Sequence, residues 1–334
     1  MKLLAVLVSV LIISQTLFAE SQVKFALAPQ VWQNFGYTEY IMDMAFVTDS
    51  GPYLLKSQLE FPLDVTMAGI MGGLYSTRNT LYAWSVEVGY FSNVDDPGRV
   101  MKDHDWETVW RVIGPDTVIY WGQVEKFSYT KSKAEMKSHL LTAEGFLRVL
   151  HKKHFDLDIW GGFRYQKIEQ DIIGYEGWQL LRDSSVARDT AVSGTAPAIY
   201  YRVTYKTPHL GLRSNIRLGQ YSTLGARAAF ALVWTSDFDD HLLRKKTARA
   251  NISGHGFISS MNARYLIPAG GRFQPFFELA AGFLYFHASG NQTQRWYGDD
   301  PITEDDDTGL SLSGIPHEIN SLQVSVGVKV GVAF

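Results

Sequence analysis

The chain has 334 residues, with 31 Lys and Arg against 34 Asp and Glu for a formal charge of −3, 13% aromatic and 19% charged residues, and no cysteine. The missing cysteine excludes disulfides, thiol catalysis and Cys-zinc sites, and a near-balanced charge without a basic stripe excludes nucleic acid as a partner. Many aromatics and 29 glycines beside so few charges fit an all-β chain with little solvated surface, the composition of a membrane β-barrel.

The first nineteen residues begin with basic Lys2, run apolar from Leu3 to Ile13 and end on small Ala19. That pattern predicts a secretory signal at 1–19 and a mature domain at 20–334. No later run reaches the roughly 18 apolar residues of a membrane helix, so an exported chain of this kind is secreted, periplasmic or an outer-membrane barrel. Ten candidate strands follow in order, near 23–44, 53–75, 80–94, 124–150, 154–177, 198–218, 221–240, 247–267, 272–290 and 318–334. An even number suits closure of a bacterial barrel. Several exceed the roughly 9–11 residues a bilayer needs, which predicts a barrel projecting above the membrane. Short turns at Ser76–Asn79, His151–His154, Gly219–Gln220 and Pro268–Gly271 alternate with longer connections at Val47–Pro52, Asp95–Gln123, Trp178–Pro197, Leu242–Lys246 and Asn291–His317. The short set belongs on the periplasmic side and the long set outside. With no repeat beyond this rhythm and no linker, one domain is expected.

Two strands carry the strongest pattern. In the last, Leu322, Val324, Val326, Val328, Val330, Val332 and Phe334 make an apolar row, and Gln323, Ser325, Gly327, Lys329, Gly331 and Ala333 a tolerant one. A soluble sandwich would also bury such a row; the terminal Phe favours the closing strand of an outer-membrane protein. Over Tyr221–His241, the even positions from Leu224 to Trp234 are apolar, and Asp237, Asp239 and His241 continue the odd row of Arg227. With the even row on lipid, these three ionisable groups point into the barrel mouth.

A second acidic cluster, Asp103 and Asp105 in Lys102–Trp106, is expected at the same outer end, the two carboxylates on one side if the segment is extended. A His oriented by a carboxylate can take a proton from water, and a facing carboxylate pair can hold that water and share a proton. Together they would form a hydrolytic site with neither metal nor covalent nucleophile. The bland alternatives are a polar loop tip and a Ca²⁺ site at Asp103 and Asp105. Arg164, Arg202, Arg213, Arg217, Arg227 and Arg264 are expected to pair with inward acids and fill the lumen, and Trp84, Tyr90, Trp160, Trp234 and Tyr285 to serve as girdle or wall residues.

The pairing of Asp103-His104-Asp105-Trp106 with Ser236-Asp237-Phe238-Asp239-Asp240-His241 resembles the omptins, outer-membrane proteases of Gram-negative bacteria built as ten-stranded antiparallel transmembrane barrels. Ser57–Phe61 and Glu39 are further echoes, and the resemblance follows the strand order over nearly the whole mature chain. It implies an endopeptidase that cuts beside Arg or Lys. Asp239 and His241 would activate water, Asp103 and Asp105 would face them, and Asp237 and Glu39 would receive the basic side chain. It also implies a monomer on the cell outer membrane with no cofactor, requiring lipopolysaccharide for activity, with basic peptides and outer-membrane lipid as partners. Lys167, in phase with Phe163 and Tyr165, is the lipopolysaccharide candidate, while Thr204 stands where the family has an Arg. The acidic residues Asp299, Asp300, Glu304, Asp305, Asp306 and Asp307 would attract cationic peptides. Against this stands a non-catalytic barrel, an adhesin, structural protein or small pore whose acidic rim only binds.

Overall fold

Strict alternation of apolar and tolerant positions lets a strand face lipid on one side and a packed lumen on the other, and the computed structural model closes such strands on themselves. It describes residues 23–48, 51–76, 81–112, 120–180, 189–269, 273–301 and 306–334; the signal segment, Glu304 and Asp305 lie outside the described residues. The strands are β1 (Val23–Thr48), β2 (Gly51–Pro62), β3 (Thr66–Ser76), β4 (Trp84–Asn93), β5 (Met101–Val112), β6 (Tyr120–His151), β7 (Phe155–Leu180), β8 (Asp189–Arg217), β9 (Ser222–His241), β10 (Lys246–Leu266), β11 (Gln274–Trp296) and β12 (Ser311–Ala333). Every pairing is antiparallel, and β12 returns to pair with β1, closing an all-β barrel.

Two segments of the wall are interrupted. Along one edge of β1 its first part pairs with β3 and its second with β2, while β6 pairs first with β5 and then with β4. The strand expected over 53–75 therefore breaks at residues 63–65, after Pro62, whose ring removes a ladder donor. The stretch expected as an outer loop at Asp95–Gln123 is mostly strand: β5 pairs with β2 and β6, because the Trp- and Val-rich run beyond Asp103 favours the sheet. The two breaks lie side by side. The Asp95 carboxylate accepts from the Thr66 amide at 2.6 Å, that of Asp96 from the Met136 amide at 2.8 Å, and Arg99 reaches Asp64 at 3.4 Å and the Gly36 carbonyl at 2.6 Å. Gly36 has φ +137°, and a Cβ there would meet the Leu322 carbonyl of β12, so only glycine fits this point of the closing seam.

The outward rows match expectation. Phe230, Leu232, Trp234, Val324, Val326, Val328 and Val330 are all exposed on the barrel exterior, an apolar band that needs a hydrocarbon neighbour. Inside, the charged residues of the lower half pair: Arg213 with Asp158 at 2.7 Å, Arg264 with Glu278 at 2.6 Å, Lys329 with Glu278 at 2.8 Å, and Arg227 with Glu144. They surround a cavity of about 490 Å³. Arg202 departs from expectation; it lies on the outer face over the Phe238 ring, because β8 turns its odd positions inward. Trp160 lies fully buried inside, against Phe146 and Arg227. Above the cavity, Phe61, Ile168, Tyr201, Tyr205 and Ile319 are buried in one apolar cluster that separates the charged lower chamber from the mouth.

Candidate active site

β9 continues in phase past Trp234, so Asp237 and Asp239 turn inward and are almost wholly buried. Their partners on β10, Ala250 and Ala248, are the smallest side chains that leave space for carboxylates on a crowded inner face. Asp239 Oδ2 lies 2.7 Å from His241 Nε2, and the His241 side chain keeps 19% of its surface open at the mouth. Two residues back, Asp237 Oδ2 lies 3.2 Å from His317 Nε2 of β12, with both side chains closed off from solvent. His317 Nδ1 donates to the Ile41 carbonyl at 2.9 Å, and its ring packs on Tyr40 at 4.4 Å between centroids.

Asp103 and Asp105 stand on β5, with three strands of the wall between them and β9 on one side and five on the other. Being two apart on a strand they share one face, as the spacing predicts, but the rigid element is a strand and not a loop. Both carboxyls are pushed above the ordinary carboxylate range, Asp103 well above it, first by burial. For Asp103 the neighbouring Asp105 and then Asp239 push the same way. For Asp105 a hydrogen bond from Ser57, its partner on β2, and the charge of His241 pull back. The two acidic clusters therefore act on each other across the mouth, with the carboxyl of Asp103 raised further than that of Asp105. Asp103 Oδ1, both carboxylate oxygens of Asp237 and Asp239, and His317 Nε2 have no aligned protein hydrogen bond among the described residues, so the Asp239–His241 and Asp237–His317 approaches are close contacts of ionisable groups.

The sequence reading missed Lys246 and His317. Lys246, expected in a loop, opens β10 directly opposite His241 and is buried at the mouth. Burial and the nearby Arg244 lower its ammonium to about 8, against the pull of Asp239, Asp300 and Asp105. Its Nζ approaches Gln294 Oε1 at 3.5 Å. Arg244 is anchored to Asp300 at 2.9 Å, and the Tyr297 hydroxyl donates to Asp240 at 3.0 Å, which ties the start of the last long connection to the end of β9. Phase alone would have found both residues: His317 continues the inward row of Gln323 and Ser325, and Lys246 that of Ala248 and Ala250.

Glu39 is not in this site. On β1 the even residues Thr38 and Tyr40 are buried inside, which puts Glu39 on the exterior, where Gln58 donates to it at 2.9 Å and Asn320 at 3.4 Å. Its expected role in receiving a substrate side chain is corrected accordingly: the pleat turns it away. Lys167 is on the outer face as expected, 2.8 Å from Glu169, and Thr204 lies opposite it on β8.

A family model described as the omptin family matches residues 48–329. Among solved structures, the chain is similar to the outer-membrane protease OmpT of Escherichia coli, with a TM-score of 0.65 and 15% identity over 92% of this chain and 96% of that one. A FadL homologue of Pseudomonas aeruginosa gives a TM-score of 0.26 and 9% identity over 92% of this chain and 90% of that one. No curated protein matches.

Proposed function

Because the chain belongs to the omptin family and folds as an outer-membrane β-barrel, we propose that it is an endopeptidase whose water nucleophile is activated by Asp239 and His241 at a mouth facing the cell exterior. The twelve segments count as ten transmembrane strands when β2 joins β3 and β4 joins β5 end to end. The observation that carries the reading is the 2.7 Å Asp239–His241 contact facing the Asp103–Asp105 pair. With Asp239 Oδ2 beside Nε2, the proton of the neutral ring is favoured on Nε2, and Nδ1 is then the lone-pair base. A water between the clusters gives its proton to Nδ1 as its oxygen attacks the peptide carbonyl. Asp239 stabilises the imidazolium, which then returns the proton to the leaving amine. Asp103, holding a proton, donates a hydrogen bond to the carbonyl oxygen as charge develops there, and Asp105 orients the water.

No step requires a cofactor. Outer-membrane lipid, including lipopolysaccharide, is the partner of the exterior face, with Lys167 its proposed contact. The acidic mouth draws cationic polypeptides, but of the two acids implied to receive a basic side chain only Asp237 faces inward. The apolar cluster below the site argues against a diffusion pore. Cleavage of quenched peptides by the refolded protein with lipopolysaccharide, beside the His241→Ala variant, tests the reading. The variant is expected to lose about 10²- to 10⁴-fold in rate while keeping the heat-modifiable migration of a folded barrel. Full activity in the variant would remove His241 from the mechanism, and no cleavage of any peptide by the folded parent would leave a barrel that only binds.

A further inference from the structure

The Asp237–His317 contact bears on which peptides this site accepts. A carbonyl oxygen can only accept, so the 2.9 Å contact of His317 Nδ1 with the Ile41 carbonyl puts a proton on Nδ1. Nε2 then faces Asp237 Oδ2 at 3.2 Å, off the line of a straight hydrogen bond, with no exposed surface on either side chain. A bare Nε2 lone pair against an ionised carboxylate would repel it where no water screens them, so the pair holds one further proton, on Nε2 or on the carboxyl. Whether it is written as imidazolium and carboxylate or as imidazole and carboxylic acid, the pair carries no net charge.

The surroundings supply no spare negative charge for a cation at this position. Close to the pair are Tyr40 from β1, Tyr201 and Tyr205 from β8 and Gln292 from β11, hydrogen-bonded to Tyr40, with Phe61 stacked behind on Tyr201 and Ile319 in the same buried cluster. Among the described residues, the acid whose charge acts on Asp237 is Asp239, itself 2.7 Å from His241. Glu39 is outside the barrel. We propose that His317 neutralises Asp237, so that the subsite next to the dyad selects an uncharged side chain before the cut and not Arg or Lys; the acidic rim above it attracts basic stretches of the polypeptide without seating them here.

This proposal rests on the endopeptidase reading but is tested apart from it. Peptides differing only in one central residue, Leu, Ala, Arg or Lys, are offered to the refolded full-length barrel in lipopolysaccharide-containing micelles, and cut positions are read by mass spectrometry. The parent is expected to cut after Leu or Ala at least tenfold faster in kcat/KM than after Arg or Lys. Asp237→Asn should leave that ratio nearly unchanged, since it removes no net charge, whereas His317→Ala should move it at least tenfold toward Arg and Lys by freeing the carboxylate. A parent that prefers Arg or Lys, with the preference lost in Asp237→Asn, would overturn the proposal even if His317→Ala fails to fold. Binding of the same peptides to the His241→Ala variant, followed by fluorescence, gives a readout that needs no hydrolysis. Tighter binding of the Leu peptide without cleavage by the parent would sink the endopeptidase reading and keep this one. Tighter binding of the Arg peptide, or no binding of either, would sink this one.

Discussion

Replacing Lys246 by Met is the sharpest probe of the mouth, because it removes a buried charge while keeping a side chain of similar length. The fall of the ammonium from 10.5 to about 8 corresponds to about 3 kcal/mol by which the folded state disfavours the charged form. Burial therefore outweighs the attraction of Asp239, Asp300 and Asp105. For a base lowered on folding, the cost is fully present below the folded value and gone above the unfolded one. The Met variant should accordingly be more stable than the parent by up to about 3 kcal/mol below pH 8. The gain should shrink as pH rises from about 8 towards 10.5. Urea unfolding of the refolded barrel, followed by heat-modifiable migration at several pH values, measures this. Activity should respond in the opposite sense. Lys246 lowers the proton affinity of Asp103 and Asp105, so its deprotonation near 8 should bend the alkaline limb of the kcat/KM profile, and the Met variant should lose that limb and shift its acid limb upward. Lys246→Arg, charged throughout, should also lose the limb near 8. An alkaline limb that stays near 8 in both variants would refute the assignment of that titration to Lys246.

Two further outcomes follow from the geometry. Asn imitates a protonated carboxyl, so Asp103→Asn should stay within about tenfold of the parent in kcat/KM while Asp105→Asn loses about a hundredfold or more; equal losses would place the shared proton elsewhere. Gly36→Ala, which forces a Cβ at φ +137° against the Leu322 carbonyl, should cost about 1–3 kcal/mol and lower the urea midpoint without moving the pH profile. An unchanged midpoint would mean that the closing seam relaxes around the methyl group.

Phase is what made most of this molecule readable. The rows of β9 and β12 alternate without interruption, and everything anchored to them, the inward Asp237 and Asp239 and the outward valines, was legible from the sequence. Glu39 was misplaced because it was assigned from the family resemblance and not from phase: the even residues Asn34, Thr38, Tyr40 and Met42 of β1 are buried and the odd residues Val31 and Phe35 are exposed, and Glu39 belongs to the odd row. The β5 strand was hidden for a different reason. Residues 95–100 of Asp95-Asp96-Pro97-Gly98-Arg99-Val100 read as the start of a loop, whereas they are a local break after which pairing with β6 resumes. Lys246 and His317 were passed over because each lies one residue before the start of an expected strand, whereas β10 opens at Lys246 and β12 already at Ser311; the boundary between periodic row and loop is least marked in sequence.

The correction at β5 bears on the chemistry as much as on the fold. A water held between two charge clusters is useful only if the clusters keep their spacing when it is consumed, because reorganising dipoles during the reaction costs what preorganisation saves. Four of the proposed groups, Asp103, Asp105, Asp239 and Lys246, stand on strands whose neighbours on both sides are hydrogen-bonded, and the buried apolar cluster of Phe61, Tyr201 and Ile319 sets the floor beneath them. That floor also keeps away the cations lining the lower chamber, among them Arg164, Arg213, Arg227, Arg264 and Lys329, which would otherwise lower the acids' proton affinity. Burial can then keep a proton on the Asp103–Asp105 pair while Asp239 stays available to His241. The site's acid and base are thus separated by environment and not by residue type, and the rigid strand segment at Asp103, the floor and Lys246 are the three features that maintain the difference.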